Sequence, residues 1–409
     1  MFSFDIVLEE DSVGLGFDIV SEEDKGAVTK PQPDIRAIAR LIPASGNLVQ
    51  GQNELPIHPA LAEALDGVVR SGLNHYSFFE GVDELRRAVA EKVAIHNNVN
   101  VDPDRRPLEL LITPGATGGL VAIAQTYLRD ASVLLFEPYY PYHKQIVQMF
   151  GGRADLVTLH DDELSLDITE LRSACQAGVA RTDKPLKAII VSSPANPTGR
   201  VFNREELQSI ISVAEEFGLL IISDEVYEHF AIRSEDQISP ASLPGGFERT
   251  ITVNSFSKSW AVSGWRLGFC YGPGELTGKI FAAGNVFYVC SPTPLQHALA
   301  RVLLSDPRYY ERLRADFARK RQILVDALER TGFRAYPSRS SFYVWARIPE
   351  QFADASELNE LLIKEAGMAA VPGSAFTETF EKDVYMRLCI ARQDEMLHAA
   401  ADRLVKALG

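Results

Sequence analysis

Between residues 60 and 300 the chain alternates short apolar runs with segments of helical period. LELLIT at 108–113 and KAIIVSSP at 187–194 each end in a polar or glycine-rich turn, and an amphipathic segment follows each turn. LLIISDE at 219–225 and TITVNSF at 250–256 continue the series. Apolar runs rich in Val, Ile and Leu that alternate with helices indicate a mostly parallel sheet with helices on both faces. We therefore predict an α/β fold for this part of the chain.

The last third of the chain follows a different pattern. Residues 295–330 predict a long charged helix that is interrupted near Asp306-Pro307, and the strand-like segments FRAYP and SFYVWARI follow it. A helix around 355–366, a strand-like VYMRLCIA run at 384–391 and a closing helix complete the chain. Because the strands and helices are fewer and more separated here, we predict a smaller α+β domain.

These patterns divide the chain into three parts. We expect an N-terminal arm at 1–40, where the sequence is acidic and weakly patterned, and we interpret this arm as flexible or docked on a partner. A large domain is predicted at 60–300, and a small domain is predicted from 41–59 together with 301–409. Ligands of open α/β sheets lie beyond the carboxyl ends of the strands, so the ends of the apolar runs are where chemistry is expected.

Composition and charge argue against several classes of protein. The chain has 409 residues, a formal net charge of −14 and a sequence pI of about 5.1. Nucleic acids and anionic membranes bind surfaces with an excess of Lys and Arg, so neither is an expected partner. No stretch approaches about 18 consecutive apolar residues, so we expect no membrane span. The N-terminus lacks the basic region and long apolar run of a signal peptide.

The cysteine pattern bears on compartment and metal binding. Cys175, Cys270, Cys290 and Cys389 are far apart and show no C-x-x-C spacing. A disulfide framework or a metal site is therefore not expected, and a reducing cytoplasm is the predicted location.

Five strand ends carry groups that can do chemistry. After LELLIT, the turn Gly115–Gly119 has the small residues and the helix start that bind phosphate, although glycine-rich turns before helices are common. Asp224 ends LLIISD and is either a helix cap or a buried carboxylate that pairs with a cation such as a protonated pyridine. Asn196 lies in SSPANPTGR and Tyr140 lies in EPYYPYH, where a loop role and a packing role are the ordinary alternatives.

The fifth group is Lys258, in the segment NSFSKSWAVSGWRLGF. It does not lie on an amphipathic face, and its neighbours Phe256 and Trp260 suggest enclosure, where a lysine amine is readily deprotonated and nucleophilic. Arg266 and the serine hydroxyls beside the lysine can bind an anion. A phosphate cradle, an aromatic ring, an amide, a carboxylate and a lysine at successive strand ends are together what a phosphorylated pyridine aldehyde needs.

On these residues the sequence resembles the fold-type I pyridoxal-phosphate aminotransferases of class I/II. The resemblance rests on SSPANPTGRVF, ISDEVYEHF and SFSKSWAVSGWRLGF, in this order and spacing, with supporting matches such as LVQGQNELP, TPGATGG and MRLCIAR. It runs from about residue 46 to the C-terminus. It implies a mostly parallel seven-stranded sheet sandwiched by helices, a smaller α+β domain, pyridoxal 5'-phosphate as cofactor, and a homodimer with shared active sites.

The resemblance also implies roles for individual residues. Lys258 resembles the lysine that holds the cofactor as a Schiff base and later moves a proton, Asp224 resembles the partner of the pyridine nitrogen, and Tyr227 resembles a donor to the phenolic oxygen of the cofactor. These three are the implied catalytic residues. Arg387 resembles the arginine that binds the substrate carboxylate, whereas the nearby Arg392 is not assigned that role. The implied cofactor-binding residues are Gly115, Ala116, Thr117, Tyr140, Asn196, Asp224, Tyr227, Ser255, Ser257, Lys258, Arg266 and, from the neighbouring subunit, Tyr76. The implied substrate-binding residues are Gly51, Asn196 and Arg387, and no metal-binding residue is implied.

The implied function is transfer of an amino group between an L-amino acid and a 2-oxo acid. A lyase, synthase or oxidase on the same fold, for example an enzyme similar to the cyclopropane-amino-acid synthases, stays open because the reaction outcome depends on details of the pocket. A non-catalytic binding module is the third interpretation, and the presence of both Lys258 and Asp224 argues against it.

The substrate is expected to carry an apolar or long side chain. Thr117 is neutral at a position where relatives specific for dicarboxylates place a basic residue, and Phe79, Tyr139 and Phe342 lie near motifs that face the pocket. Aromatic walls favour apolar ligands, although each ring has core packing as its alternative. An arginine near the acidic arm, such as Arg36, is the alternative that would hold a second carboxylate.

Overall fold

A computed structural model describes residues 35–160, 162–340, 342–379 and 383–409. Of the predicted arm at 1–40, only helix α1 (Ile35–Arg40) falls within these ranges. The remainder of the arm, which we expected to be flexible or docked on a partner, lies outside the described residues. Helix α1 buries Ala39 against an apolar cluster that includes Val49 and Phe376. The first described helix is therefore packed on the body of the protein.

The larger sheet confirms the mostly parallel arrangement. Its strands are β1 (Leu110–Thr113), β2 (Ser132–Glu137), β3 (Arg153–Thr158), β4 (Leu186–Ser192), β5 (Leu220–Asp224), β6 (Thr250–Ser255) and β7 (Gly268–Tyr271). Among the described residues they form a seven-stranded sheet in the order β1-β7-β6-β5-β4-β2-β3. Neighbours pair in parallel except β7, which is antiparallel to both β1 and β6. Because β7 reverses direction between them, β1 and β6 still end at the same edge of the sheet.

Helices cover both faces of this sheet. They are α2 (Pro59–Arg70), α3 (Asp83–Asn97), α4 (Gly115–Tyr127), α5 (Pro141–Met149), α6 (Ile168–Val179), α7 (Arg204–Glu216), α8 (Phe256–Ser259), α9 (Gly274–Tyr288) and α10 (Thr293–Val302). Successive side chains of a strand point to opposite faces. Leu134 accordingly packs in the cluster that contains Leu207 of α7, while Leu135 packs in the cluster that contains Ile123 of α4. The predicted sandwich of helices around the sheet is confirmed.

A smaller sheet follows in the C-terminal part, as predicted. Its elements are α11 (Tyr309–Arg330), β8 (Arg334–Ala335), β9 (Tyr343–Arg347), α12 (Ala355–Leu361), β10 (Val371–Pro372), β11 (Tyr385–Cys389) and α13 (Asp394–Leu408). The strands form an antiparallel sheet in the order β10-β11-β9-β8, and α11 and α13 share its core. The helical pattern predicted for 295–330 is broken between Val302 and Tyr309, around the expected Asp306-Pro307. The boundaries predicted for the domains stay predictions.

The sequence predicted no disulfide framework, no membrane span and no metal site. The four cysteines are free. In the described part of the chain, no helix combines the length and the apolar character needed to cross a membrane. Within the same ranges, no group of three or more His, Cys, Asp or Glu side chains is arranged to hold a metal ion.

A buried ion pair connects α3 to the turn that follows β5. Lys92 of α3 donates to the carboxylate of Glu228, and both side chains are almost fully excluded from solvent. Asn97 and Asn254 donate to the same carboxylate at 2.6 and 2.7 Å. A buried charge is tolerated only when it is paired and hydrogen-bonded, which is the case here. The pair therefore fixes the backbone just beyond Asp224.

Removal of Lys92 should destabilise the protein strongly. The Lys92→Met variant leaves the Glu228 carboxylate buried without its cation, and the expected loss is about 3–5 kcal/mol in the free energy of unfolding. Urea denaturation of the cofactor-free protein measures this loss. The matched control is Arg70→Met on α2, because Arg70 pairs with Asp66 where both side chains are exposed and such pairs contribute little. Equal losses in the two variants would contradict the prediction.

Candidate active site

The carboxyl edge of the large sheet gathers most of the predicted site residues. Asp224 is the last residue of β5, and Lys258 lies in the helical turn α8 that follows β6. Gly115 opens α4 directly after β1, and Tyr140 precedes α5 after β2. Asn196 lies in the loop after β4. Strand topology thus brings residues that are far apart in the sequence to one edge, as the sequence predicted.

Lys258 lies against the segment around Gly51. Its Nζ donates to the carbonyl oxygen of Gly51, and its own carbonyl accepts a hydrogen bond of 2.7 Å from Asn53 Nδ2. Burial, together with the nearby positive charges of Arg266 and Arg387, lowers the pKa of the Lys258 amine to about 8. The ordinary lysine pKa is about 10.4, so this amine is far easier to deprotonate than a surface lysine.

Asp224 is held by a histidine that the sequence analysis did not select. Its Oδ2 lies 2.8 Å from Nε2 of His143, and both side chains are buried. His143 is in α5, three residues after Tyr140, and its ring stands perpendicular to the Tyr140 ring with centroids 5.4 Å apart. This one-turn spacing in YYPYH was the available signal, because residues i and i+3 of a helix lie on one face. His143 thereby fixes the orientation of the Asp224 carboxylate.

Arg387 has the geometry of a carboxylate receptor. It lies in β11 and is buried, its Nη1 donates 2.8 Å to Asn196 Oδ1, and its Nη2 donates to the carbonyl of Val49. The buried Nε has no hydrogen-bond partner among the described residues. The guanidinium lies over the rings of Tyr343 and Phe376, 4.6 and 4.8 Å from their centroids. A fixed guanidinium with an unused donor suits a carboxylate ligand, because arginine binds carboxylates through paired donors.

A pair of tyrosines lies next to this arginine. The hydroxyls of Tyr227 and Tyr343 are 2.8 Å apart, and both side chains are buried. Burial raises the pKa of Tyr227 well above its ordinary value and that of Tyr343 to about 12, so both hydroxyls carry a proton at neutral pH. Tyr343, in SFYVW, was not selected from the sequence, where an aromatic residue in a strand has packing as its ordinary role.

The start of α4 fits a phosphate group. Gly115 has φ of +71°, and a Cβ there would come within 2.5 Å of Nη2 of Arg266, so the guanidinium lies directly against the helix N-terminus. The hydroxyls of Ser255 and Ser257 are 2.7 Å apart. Backbone N–H groups at a helix N-terminus attract anions, and a guanidinium adds charge and paired donors. The predicted cofactor residues Ala116 and Thr117 supply the first-turn N–H groups of this helix.

Tyr76 is not brought to this site within the subunit. Its side chain is 85% exposed, and none of the hydrogen bonds or ring contacts of the described residues joins it to the rest of the site. Other large apolar side chains are exposed as well, namely Phe78, Val286, Phe287 and Val289. The position of Tyr76 is therefore compatible only with a role outside its own subunit's site or with none.

Arg392 has a structural task that the sequence did not reveal. It is fully buried, and its guanidinium donates to the backbone carbonyls of Asn47, Gln50 and Gln52 at 2.6–2.8 Å. It thereby fixes the segment that contains Gly51. These contacts agree with leaving Arg392 out of the substrate-binding set.

Two of the three aromatic residues expected to face the pocket pack in the core, and one of them, Phe342, packs there behind Tyr227 and Tyr343, with ring centroids 4.9 and 5.0 Å away. Phe79 packs in the core against Phe281, with centroids 5.1 Å apart, and Phe342 stacks on Phe317 at 5.7 Å. The Tyr139 hydroxyl donates 2.6 Å to Glu378. For Phe79 and Phe342 the structure favours the alternative that was left open, which is core packing.

Comparisons with known proteins agree with this geometry. A family model described as aminotransferase class I and II matches residues 44–404. The chain is 36% identical over 350 residues to an aspartate aminotransferase of Pyrococcus abyssi and, over the same length, to aromatic-amino-acid aminotransferase 2 of Thermococcus litoralis, covering 85% of this chain and 86% of each relative.

Solved structures give the same result for the fold. A methionine aminotransferase from Escherichia coli superposes with a TM-score of 0.83 at 28% identity, and the N-succinyldiaminopimelate aminotransferase from Mycobacterium tuberculosis superposes with a TM-score of 0.83 at 31% identity. Both comparisons cover 91% of this chain and 96% of the other chain. All of these proteins bear aminotransferase names, and none supports the lyase alternative.

The lowered pKa of Lys258 predicts how covalent capture of pyridoxal phosphate depends on pH. Only the neutral amine attacks an aldehyde, so the rate of capture by the cofactor-free protein should rise with pH through a midpoint near 8, where burial places the pKa. Stopped-flow absorbance measures this rate. Lys258→Ala should bind the cofactor without the covalent phase. A midpoint near that of an exposed lysine would contradict the burial argument.

Proposed function

Starting from the fact that this chain belongs to the aminotransferase class I and II family, we propose that Lys258 carries the cofactor and moves the α-proton of the substrate. The family uses pyridoxal phosphate, so the protein is a pyridoxal-phosphate aminotransferase that transfers an amino group from an amino acid to a 2-oxo acid. The observation that carries the proposal is the partly buried amine of Lys258, with its pKa lowered to about 8, at the sheet edge that also holds Asp224.

The described side chains fit the cofactor at several points. When bound, pyridoxal phosphate supplies an aldehyde and a protonated pyridine ring that withdraws electrons from the α-carbon of an amino acid. The α4 N-terminus, Arg266 and the two serines are suited to its phosphate group, and Asp224 is suited to its pyridine nitrogen. The residues proposed to hold the cofactor are Gly115, Ala116, Thr117, Tyr140, Asn196, Asp224, Tyr227, Ser255, Ser257, Lys258 and Arg266.

Asp224 and His143 act as one unit in this proposal. A carboxylate beside a pyridine nitrogen favours the protonated ring, because an opposite charge stabilises the charged form. The hydrogen bond from His143 fixes the carboxylate in one orientation. The buried environment strengthens this electrostatic effect, since little water is present to screen it.

Arg387 presents the substrate to Lys258. Its Nη1 is taken by Asn196 and its Nη2 by the carbonyl of Val49, so the guanidinium has one orientation before a ligand arrives. A carboxylate that binds to it is held in a fixed pose, and its α-carbon is then positioned toward the amine. Pre-organised positioning of this kind supplies a large part of the rate enhancement of enzymes.

A homodimer is proposed on the exposed residues around Tyr76. The apolar side chains of Tyr76, Phe78, Val286 and Val289 are each more than half exposed in the single subunit. Exposed apolar surface of this extent is typical of an interface between subunits. We propose that Tyr76 completes the phosphate site of the neighbouring subunit.

The cysteines bear on the location of the protein. All four are free, which is typical of a reducing compartment, and the cytoplasm stays the proposed location.

We propose an amino acid with a large apolar side chain as the preferred donor. Two relatives are named for aromatic amino acids and for methionine, and Thr117 at the start of α4 is neutral. The position of Arg36 favours the opposite preference. Arg36 donates a hydrogen bond of 2.8 Å to the hydroxyl of Tyr142, and the Tyr142 ring centroid lies 5.0 Å from that of Tyr140. An arginine near this edge favours a second carboxylate, and several relatives are named for aspartate.

Half-reactions with single amino acids test the function and the donor together. The cofactor-loaded protein is mixed with phenylalanine, methionine, alanine, aspartate or glutamate, and conversion of the cofactor to its amine form is followed by absorbance. Phenylalanine and methionine should react with a higher kcat/KM than aspartate. Borohydride treatment before mixing should fix the cofactor on the peptide that contains Lys258.

The controls separate the parts of this test. Lys258→Ala should bind the cofactor and give no conversion, whereas Lys187→Ala, which removes an exposed lysine in β4, should leave conversion unchanged. Borohydride labelling of another lysine would refute the central assignment. Aspartate faster by tenfold or more would refute the donor preference and leave the assignment of Lys258 intact.

Mixed dimers test the proposed role of Tyr76. Tyr76→Ala and Lys258→Ala homodimers should both have little activity. In a dimer with one subunit of each kind, the site with Lys258 receives Tyr76 from the other subunit, so one complete site is formed. Activity should therefore reappear on mixing under subunit exchange, up to about half of the wild-type activity per mixed dimer. No recovery in verified mixed dimers would show that Tyr76 does not act across the interface.

A further inference from the structure

Tyr343 touches three residues of the site from one side. Its hydroxyl lies 2.8 Å from that of Tyr227, and its ring lies under the guanidinium of Arg387, 4.6 Å from Cζ to ring centroid. A Cβ built on Gly51 would come within 2.0 Å of the Tyr343 hydroxyl oxygen, so this oxygen packs directly on the Gly51 backbone. No other described side chain is shown in contact with all three.

The register of the small sheet explains this placement. Tyr343 of β9 pairs with Cys389 of β11, and Trp345 pairs with Arg387. Tyr343 and Arg387 are therefore diagonal neighbours on one face of an antiparallel pair, within reach of long side chains. The aromatic ring and the guanidinium are held together by the strand pairing itself, and a flat ring under a cation stabilises it.

The two tyrosine hydroxyls share one hydrogen bond and carry two protons. Burial raises the pKa of Tyr227 well above its ordinary value and that of Tyr343 to about 12, so both protons are present at neutral pH. Neither hydroxyl has another hydrogen-bond partner among the described residues. One proton lies in the bond between them, and the other is left for a ligand atom. If one tyrosine donates in the bond between them, the proton left for a ligand belongs to the other tyrosine.

The surroundings favour Tyr343 as the donor. If Tyr227 donated, the remaining proton would belong to Tyr343, whose oxygen is packed on the Gly51 backbone. If Tyr343 donates, the remaining proton belongs to Tyr227, which lies three residues after Asp224 at the end of β5 and which the proposed function assigns to the cofactor. Donation into the Tyr227 oxygen also makes Tyr227 a stronger donor, because hydrogen bonds in a chain polarise each other.

We propose that Tyr343 is a positioning residue that donates its hydroxyl proton to Tyr227, which frees the Tyr227 proton for the phenolic oxygen of the cofactor, while the Tyr343 ring supports Arg387. This inference rests on the proposed function in two respects, namely that Tyr227 faces the cofactor and that Arg387 binds the substrate carboxylate. It assigns two separable tasks to one side chain. The hydroxyl acts on cofactor binding through Tyr227, and the ring acts on carboxylate binding through Arg387.

Two substitutions separate these tasks. Tyr343→Phe removes only the hydroxyl, and Tyr343→Leu removes both hydroxyl and ring. Tyr310→Phe is the matched control, because Tyr310 is also buried and its hydroxyl accepts 3.2 Å from Trp260 Nε1. Each variant is examined for binding of pyridoxamine phosphate, which cannot form a covalent link, to the cofactor-free protein. Binding of 3-phenylpropionate, an unreactive carboxylate, to the loaded protein is measured as well.

The expected pattern differs between the variants. Tyr343→Phe should weaken pyridoxamine phosphate by about threefold or more, because the Tyr227 hydroxyl loses the bond that orients and polarises it, and should leave 3-phenylpropionate within about twofold. Tyr343→Leu should weaken both ligands. In a Tyr227→Phe background, Tyr343→Phe should have no further effect on pyridoxamine phosphate, since it acts through Tyr227. Gly51→Ala, which displaces the hydroxyl, should weaken pyridoxamine phosphate similarly.

The outcomes that overturn the inference are distinct from those that overturn the proposed function. If Tyr343→Phe binds pyridoxamine phosphate as Tyr310→Phe does, or if its effect persists undiminished in the Tyr227→Phe background, Tyr343 is a packing residue and the inference fails. Borohydride labelling of Lys258 is unaffected by either result. If the label is not on Lys258, the proposed function fails. Thermal unfolding of the cofactor-free variants shows whether any loss of affinity reflects loss of folding.

Discussion

Two side chains that normally carry positive charge lie near the carboxyl edge of the large sheet, and most of the site follows from the need to accommodate them. They are the partly buried Lys258, which follows β6, and the buried Arg387, which belongs to β11 of the small sheet. Burial without partners would cost several kcal/mol for each charge. Lys258 meets this constraint by a lowered pKa and by donating to the Gly51 carbonyl, whereas the Arg387 guanidinium donates to Asn196 and to the Val49 carbonyl. The site thus already contains an amine that loses its proton far more easily than a surface lysine and a guanidinium that is fixed in one orientation.

The backbone that supplies these carbonyls belongs to neither sheet. The segment from Asn47 to Asn53 runs between the two sheets, and its carbonyl groups would be unpaired without donors from the surrounding structure. Arg392 binds three of them, and Asn53 reaches back to the carbonyl of Lys258. Arg392 therefore fixes the segment 47–53, whose carbonyl groups accept hydrogen bonds from Arg387 and Lys258.

Much of this fold was predictable because its central strands are buried on both faces and therefore consist of consecutive apolar residues. Strand β3 escaped prediction because it lies at the sheet edge, is half polar and is mostly only partly buried, and β10 escaped because it has only two residues. The direction of β7 was not readable, since an apolar run looks the same in either orientation. Lys258 and Asp224 were found because strand ends mark them. His143 and Tyr343 were missed because their partners are 81 and 116 residues away, and such contacts exist only in the folded chain.

Arg266, beside the start of α4, has a backbone conformation that lowers the stability of the folded protein. Its backbone is left-handed, with φ of +52°, a conformation that costs a residue with a side chain about 1 kcal/mol or more and costs glycine almost nothing. A chain selected for stability alone would drift toward glycine at this position. Glycine at this position would relieve the backbone but remove the guanidinium that lies against the start of α4, so stabilising substitutions are better sought away from the site, where they carry no such conflict.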